Sequence, residues 1–177
     1  MGSTLNDLGP QPETVSVEVR YLADCPESVR PLALWLYEEW GWRNPDNSVE
    51  KVEKRLMQRM NRDKVPLTLV AFRGAEPVGS ASLILREMET HLQFLHWLGG
   101  VYVHHPYRNQ GIGSRLVECA ASQAGRLGVR ELYLYTRHHE SFYSRLGWRP
   151  VERTHYHGRE VLIMKRGLGR ETFAQRH

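Results

Sequence analysis

Cysteine is scarce in this sequence. Cys25 and Cys119 are the two thiols among 177 residues, far apart and in no Cys-x-x-Cys pair. That usage argues against a disulfide framework or a zinc ribbon and reads as two packed thiols in a reducing compartment. Long apolar runs are missing too, and none approaches the roughly 18 residues a membrane span needs. The opening, Met1 to Asn6, is polar and has no secretory h-region. Asn6 stands where a myristoylation motif beginning at Gly2 wants Ser or Thr. No internal repeat or low-complexity stretch interrupts the chain. Charge of one sign is sparse: 24 basic against 20 acidic residues leave +4, spread along the chain and densest at Lys165, Arg166 and Arg170. No basic run interleaves with aromatics as a nucleic-acid-binding stripe would. The expectation is a soluble, cytoplasmic protein with neither a membrane nor a nucleic-acid partner.

What is present is a succession of short periodic segments. Hydrophobic residues make up 41% and charged residues 25%, enough for one core at this length. Residues 1–15 are polar and rich in Pro and Gly, and read as a loose arm. Val15, Val17, Val19 and Tyr21 alternate with polar neighbours, as in a half-buried strand. Asp24-Cys25-Pro26-Glu27 reads as a helix start, with Asp24 as cap and Glu27 at the capping-box position. Val29, Leu32, Leu36 and Trp40 follow at helical spacing, which places Trp40 in the core. A second start at Asn47 and Glu50 carries Val52, Leu56 and Met60 on its apolar line.

The pattern then turns to strands. Residues 67–73 and 77–86 flank a turn at Gly74-Ala75-Glu76, and a third run covers 93–104. A strong helix runs from Gly111 to about Leu127, with Ile112, Leu116, Ala120 and Ala124 on one stripe and Gly128 placed to end it. Residues 132–136 read as a strand and 140–146 as a short helix closed by Gly147. Strands at 148–156 and 160–165 join at His157-Gly158-Arg159. The order β-α-α-β-β-β-α-β-α-β-β predicts an α/β (α+β) fold, a mixed central sheet of about six to seven strands with helices on both faces. The domain is expected over 16–166, with a tail at 167–177.

The most informative stretch is Val101-Tyr102-Val103-His104-His105-Pro106-Tyr107-Arg108-Asn109-Gln110-Gly111-Ile112-Gly113-Ser114. An apolar strand ends, a short loop turns, and a helix opens at two glycines. A helix N-terminus offers unpaired N–H groups and the positive end of the dipole, which suits a phosphate. Glycine lets an anion approach the backbone closely, and Arg108 can add a charge-assisted bond. A P-loop is excluded because Gly-Lys-Ser/Thr is absent, and the dinucleotide fingerprint fails at Leu116, where it wants glycine.

Arg108-x-x-Gly111-x-Gly113 after an apolar strand resembles the acetyl-CoA motif of the GNAT acetyltransferases, Arg/Gln-x-x-Gly-x-Gly/Ala. Phe142-Tyr143-Ser144-Arg145-Leu146-Gly147-Trp148 resembles that family's Phe-Tyr-x-x-x-Gly-Phe segment, with Trp148 in place of the last Phe. The resemblance covers roughly residues 16–165 in element order as well. It implies an acetyl-CoA-dependent N-acetyltransferase that acts on a primary amine in a ternary complex. Acetyl-CoA would be the co-substrate, no metal would be needed, and a homodimer would be common. Val101, Tyr102 and Val103 would offer backbone groups to the pantetheine arm. Asn109, Gln110, Gly111, Ile112, Gly113 and Ser114 would hold the diphosphate, with Arg108 at its entrance and Thr136 alongside. Gly99-Gly100 falls where the family has a β-bulge. Tyr143 would be the general acid that serves the departing thiolate.

The chain departs from the pattern at the base. Many relatives carry a glutamate on the central strand, where this chain reads Trp97-Leu98-Gly99-Gly100. Others carry a carboxylate near Tyr135. His138 and His139 are the candidates in its place, since an imidazole near pKa ~6.5 suits the task. His104, His96 and the pair Glu87/Glu89 stand behind them, and base-free transfer through water stays open. The adjacent pairs His104-His105 and His138-His139 point to opposite faces and make no natural chelate. Glu38, Glu39 and Trp42 are candidates for holding a cationic acceptor. The acceptor itself, a small-molecule or peptide amine, is not legible. The alternative to an enzyme is an acyl-CoA-binding sensor without turnover.

Overall fold

The computed structural model describes residues 16–169. The expected arm at 1–15 and the last residues of the expected tail, 170–177, lie outside them. Seven strands form one sheet: β1 (Val17–Tyr21), β2 (Leu67–Arg73), β3 (Glu76–Leu85), β4 (His96–Val103), β5 (Glu131–Thr136), β6 (Arg149–Tyr156) and β7 (Arg159–Gly167). Their order is β1-β2-β3-β4-β5-β7-β6. Among the described residues only β4 and β5 pair in parallel; every other neighbour is antiparallel. Parallel neighbours need a crossover. Here the long helix α3 (Ile112–Arg126) supplies it.

Strand alternation sorts the apolar residues between two faces. Leu67, Leu69 and Ala71 of β2 point to the α3 face, where they join Ile112, Leu116, Ala120 and Ala124 of that helix. Val70 and Phe72, the residues between, join Leu32 of α1 (Val29–Glu39) and Val52 and Leu56 of α2 (Val49–Met57) on the other face. A third cluster, with Met88, Trp97, Tyr133 and Ile163, fills the sheet beyond them. The short helix α4 (Glu140–Arg145) leans Phe142 and Tyr143 on the α3 side.

Gly128 ends α3 as expected. Its φ of 83° is left-handed, Val129 N–H reaches the Ala124 carbonyl and Gly128 N–H the Gly125 carbonyl, which is the Schellman arrangement. The first helix differs from expectation. Residues 22–24 and 26–28 form two 3-10 turns, and α1 begins only at Val29. Asp24 caps nothing because its carboxylate pairs with Arg62. At the second helix Ser48 is the cap, accepting from Lys51 N–H at 3.1 Å, while Asn47 donates to the Gly41 carbonyl. Trp40 is not core: it stands one residue past the end of α1 and is 40% exposed. Its helical spacing continued beyond the helix that would have buried it.

Candidate functional site

The sheet opens at its centre. β4 and β5 share one pair, Trp97 with Tyr133, at the start of β4. From Gly99 to Val103 the β4 edge facing β5 has no partner strand among the described residues. On its other side β4 stays bonded to β3, where Ser82 pairs with Gly99 and Ser80 with Tyr102. One β3 residue, Ala81, therefore opposes two of β4, Gly100 and Val101. This is a bulge one residue further on than the sequence indicates, with Gly100 at φ 57°. The bulge bends β4 away from β5 and leaves Val101, Tyr102 and Val103 beside an open strand-shaped slot.

The slot leads to the N-terminus of α3. His105 to Tyr107 make a 3-10 turn, Asn109 (φ 61°) and Gly111 (φ 80°) take left-handed conformations, and Arg115 N–H makes the first helical bond, to the Gly111 carbonyl. The N–H groups of residues 109–114 have no backbone acceptor among the described residues, no side chain caps the helix, and its first turn carries no acid. A Cβ built on Gly111 would meet nothing within 4 Å, so the space over this backbone is open. Gly113 faces Phe142, and a Cβ there would lie 3.5 Å from the Phe142 ring. The α3 N-terminus and α4 thus wall one cleft.

Arg108 does not stand free at the entrance. Its Nε donates to the Val103 carbonyl at 2.7 Å, its guanidinium pairs with Glu39 at 3.6 Å and lies 5.4 Å from the Tyr102 ring centre. Its geometry fastens the loop to the end of β4 and to α1. Glu39 thus faces Arg108 across a half-exposed contact. Glu38 and Trp42 are exposed at the end of α1, and the Trp42 ring meets Arg43.

Tyr143 sits on α4, edge-on to Phe142 and Trp148. Its hydroxyl has no hydrogen-bond partner among the described residues, and burial pushes the phenol up to about 12. Thr136 is buried at the end of β5 and its Oγ1 accepts His139 N–H at 3.1 Å, which turns the chain into α4. His138 and His139 are exposed in that turn, and no side-chain hydrogen bond or ring contact ties either imidazole to the slot. Among the described residues no group of three or more His, Cys, Asp or Glu is placed to hold a metal.

On the opposite face, sequence reasoning underrated one cluster. Glu87 stands in the loop after β3, and a Cβ built on Gly99 would lie 4.0 Å from its Oε1 and 2.8 Å from Ile84 Cδ1. Glycine at 99 is what lets Ile84 come up to β4 just before the bulge, with Glu87 beside it. Tyr156 donates to the Glu87 carbonyl at 3.3 Å and to Glu89 Oε2 at 2.7 Å, and its ring meets Tyr135 edge-on at 5.5 Å. Burial pushes the Tyr135 phenol up to about 12, reinforced by the charges of Glu87 and Glu89. Burial also raises the Glu87 carboxyl, against the attraction of Arg59 and Arg55. Beside Ile84 lies a cavity of about 200 Å³ lined by Arg55, Gln58, Arg59, Pro66, Ile84 and Leu85. Arg59 lies far from either motif in sequence, and only its charge could have singled it out; Tyr156 follows the second motif by eight residues but belongs to no pattern there.

Residues 66–150 match the family model of the acetyltransferase (GNAT) domain. The whole fold agrees with solved structures of low sequence identity. An acetyltransferase of the GNAT family from Streptococcus pneumoniae is 19% identical and superposes with a TM-score of 0.65 over 87% of this chain and 100% of its own. An aminoglycoside 6'-N-acetyltransferase complexed with coenzyme A is 19% identical, with a TM-score of 0.68 over 85% of this chain and 97% of its own. A Salmonella typhimurium protein solved with its cofactor acetyl-CoA is 18% identical, with a TM-score of 0.64 over 87% and 95%. No curated protein matches the sequence. The matched segment, residues 66–150, is thus similar to the acetyltransferase (GNAT) domain, and residues 16–169 share the fold of these solved structures.

Proposed function

We propose that this protein moves an acetyl group from acetyl-CoA to a primary amine while both are bound. The observation that carries the reading is the continuity of the open β4 edge with six unpaired N–H groups at the mouth of α3. The residues present fit coenzyme A. An extended amide-bearing arm matches an unpaired strand edge, and a diphosphate matches converging amides at a helix N-terminus whose glycine leaves the approach clear. In this reading Val101, Tyr102 and Val103 bind the arm, and residues 109–114 hold the diphosphate. Arg108 keeps the loop in the shape that presents those amides.

Acetyl-CoA supplies the activated acetyl group; the chain supplies position and protons. In this reading the bulge at Gly100–Val101 offers the slot backbone N–H groups that can polarise a carbonyl. Tyr143 keeps its proton at any working pH, being raised to about 12, and donates it to the leaving sulfur. Thr136 and His139 set the angle of α4, and so the place of the Tyr143 phenol.

Thiol release from acetyl-CoA, followed across amino acids, peptides with varied N-termini, polyamines and aminoglycosides, tests the reading. Amine-dependent release is expected with at least one class. Tight coenzyme A binding with no release from any amine supports the acyl-CoA sensor instead.

A further inference from the structure

The acceptor side carries two opposite charges that do not satisfy each other. Glu87 and Arg59 attract one another and are both desolvated. Yet no ion pair within 4 Å and no side-chain hydrogen bond joins either head group to a partner among the described residues. Both residues are half-buried, and neither head group is fully enclosed. Two opposite charges left unjoined on either side of Ile84 fit a ligand that bears both complements.

Their surroundings assign the ends. Glu87 Oε1 would lie 4.0 Å from a Cβ built on Gly99, next to the bulge where transfer would occur. Arg59, with Arg55 and Gln58, lines the cavity, and Ile84 forms the wall between that cavity and Gly99. Guanidinium groups offer donors alone in a planar fork, which suits a carboxylate or another oxyanion. The cavity is smaller than the roughly 300–1,000 Å³ of pockets that enclose drug-sized ligands. A polycation would set surplus positive charge against the two arginines.

We propose that the acceptor is a small amino-acid-like zwitterion, its amine meeting Glu87 beside Gly99 and its anionic group seated against Arg59 and Arg55. This rests on the transfer reading above and narrows it. Glu87 takes one proton from the ammonium group and passes it to solvent. The freed nitrogen lone pair forms the N–C bond, the C–S bond breaks, and sulfur takes a proton from Tyr143. The second nitrogen proton reloads Tyr143, so each turnover releases one proton. The charged and titratable groups around Glu87 are Arg59 and Arg55 of the α2 side, Glu89 of its own loop, Tyr135 of β5 and Tyr156 of β6.

The test is thiol release by the whole chain with free amino acids, their methyl esters, a polyamine and an aminoglycoside. Amino acids are expected to exceed their esters in kcat/KM by about tenfold or more, the worth of a charge-assisted pair. Arg59→Met should erase that ratio through KM, Arg59→Lys should restore part of it, and calorimetric coenzyme A affinity should be unchanged in both. Glu87→Gln should lower kcat and remove the acid limb of the pH profile. Equal rates for acid and ester, or a preference for the polyamine or aminoglycoside, overturn the proposal while leaving acetyl transfer in place. An intact acid-to-ester ratio in a folded, coenzyme A-binding Arg59→Met protein also overturns it. Failure of every amine to release thiol overturns the transfer reading and this inference together.

Discussion

Replacing Gly111 with valine separates folding from cofactor binding. Gly111 has φ 80°, and a Cβ there meets no protein atom within 4 Å. The cost to the free protein is therefore backbone strain alone, about 1–2 kcal/mol for a side chain in the left-handed region. For a domain of this size that lowers Tm by about 2–8 °C. The valine side chain fills the open approach to the amides of residues 109–114. Losing one bond from an N–H to a charged phosphate costs about 1.5–3 kcal/mol, so coenzyme A affinity should fall about tenfold to a hundredfold or more. Gly113→Ala is the control. Its Cβ would make ordinary contacts, 3.5 Å from Phe142 and 3.7 Å from Val103, and glycine to alanine within a helix gains about 0.5–1 kcal/mol. That protein should melt slightly higher and bind normally. Scanning calorimetry and isothermal titration with coenzyme A read both quantities. Wild-type affinity in the Gly111→Val protein would refute the placement of the diphosphate.

Tyr143→Phe should lower kcat about a hundredfold with little change in coenzyme A affinity. It should also melt no lower than wild type, because the hydroxyl has no hydrogen-bond partner among the described residues to lose; a rate equal to wild type would remove Tyr143 from the acid role. Glu87→Gln should raise Tm at pH 8. The folded carboxyl lies above its ordinary value because burial disfavours the charge, so its contribution to stability is complete below about pH 4.3 and is lost as pH rises through the folded value. The gain should vanish near pH 4, and an equal gain at both pH values would point to another cause. Leu116→Ala, in the fully buried stripe of α3, should cost about 2–5 kcal/mol in denaturant titration while leaving the cleft residues in place.

The elements were legible because each carries its own period. Ile112, Leu116, Ala120 and Ala124 form a helix stripe whatever they pack on, and Val17, Val19 and Tyr21 alternate because one face of β1 is covered. The glycines at 111 and 128 announced two left-handed turns, since few other residues adopt them cheaply. Side-chain partners were not legible. Asp24 had the makings of a cap until the fold brought Arg62 to it from 38 residues away. Arg108 was legible as a phosphate ligand from its motif, but not the bond from its Nε to the Val103 carbonyl or the approach of Glu39. Glu87 ranked behind the histidines because nothing local shows that the fold brings it beside Gly99 of another strand, or that an arginine on the α2 side attracts it. Pairing across the sheet decides such contacts, and periodicity carries no record of it.

A crystal structure of this protein grown with coenzyme A tests the central claim most directly. The account predicts the diphosphate against the N–H groups of residues 109–114 and the pantetheine arm along Val101 to Val103, with its sulfur end toward Tyr143. A ligand bound elsewhere, or none at saturating concentration, would contradict it.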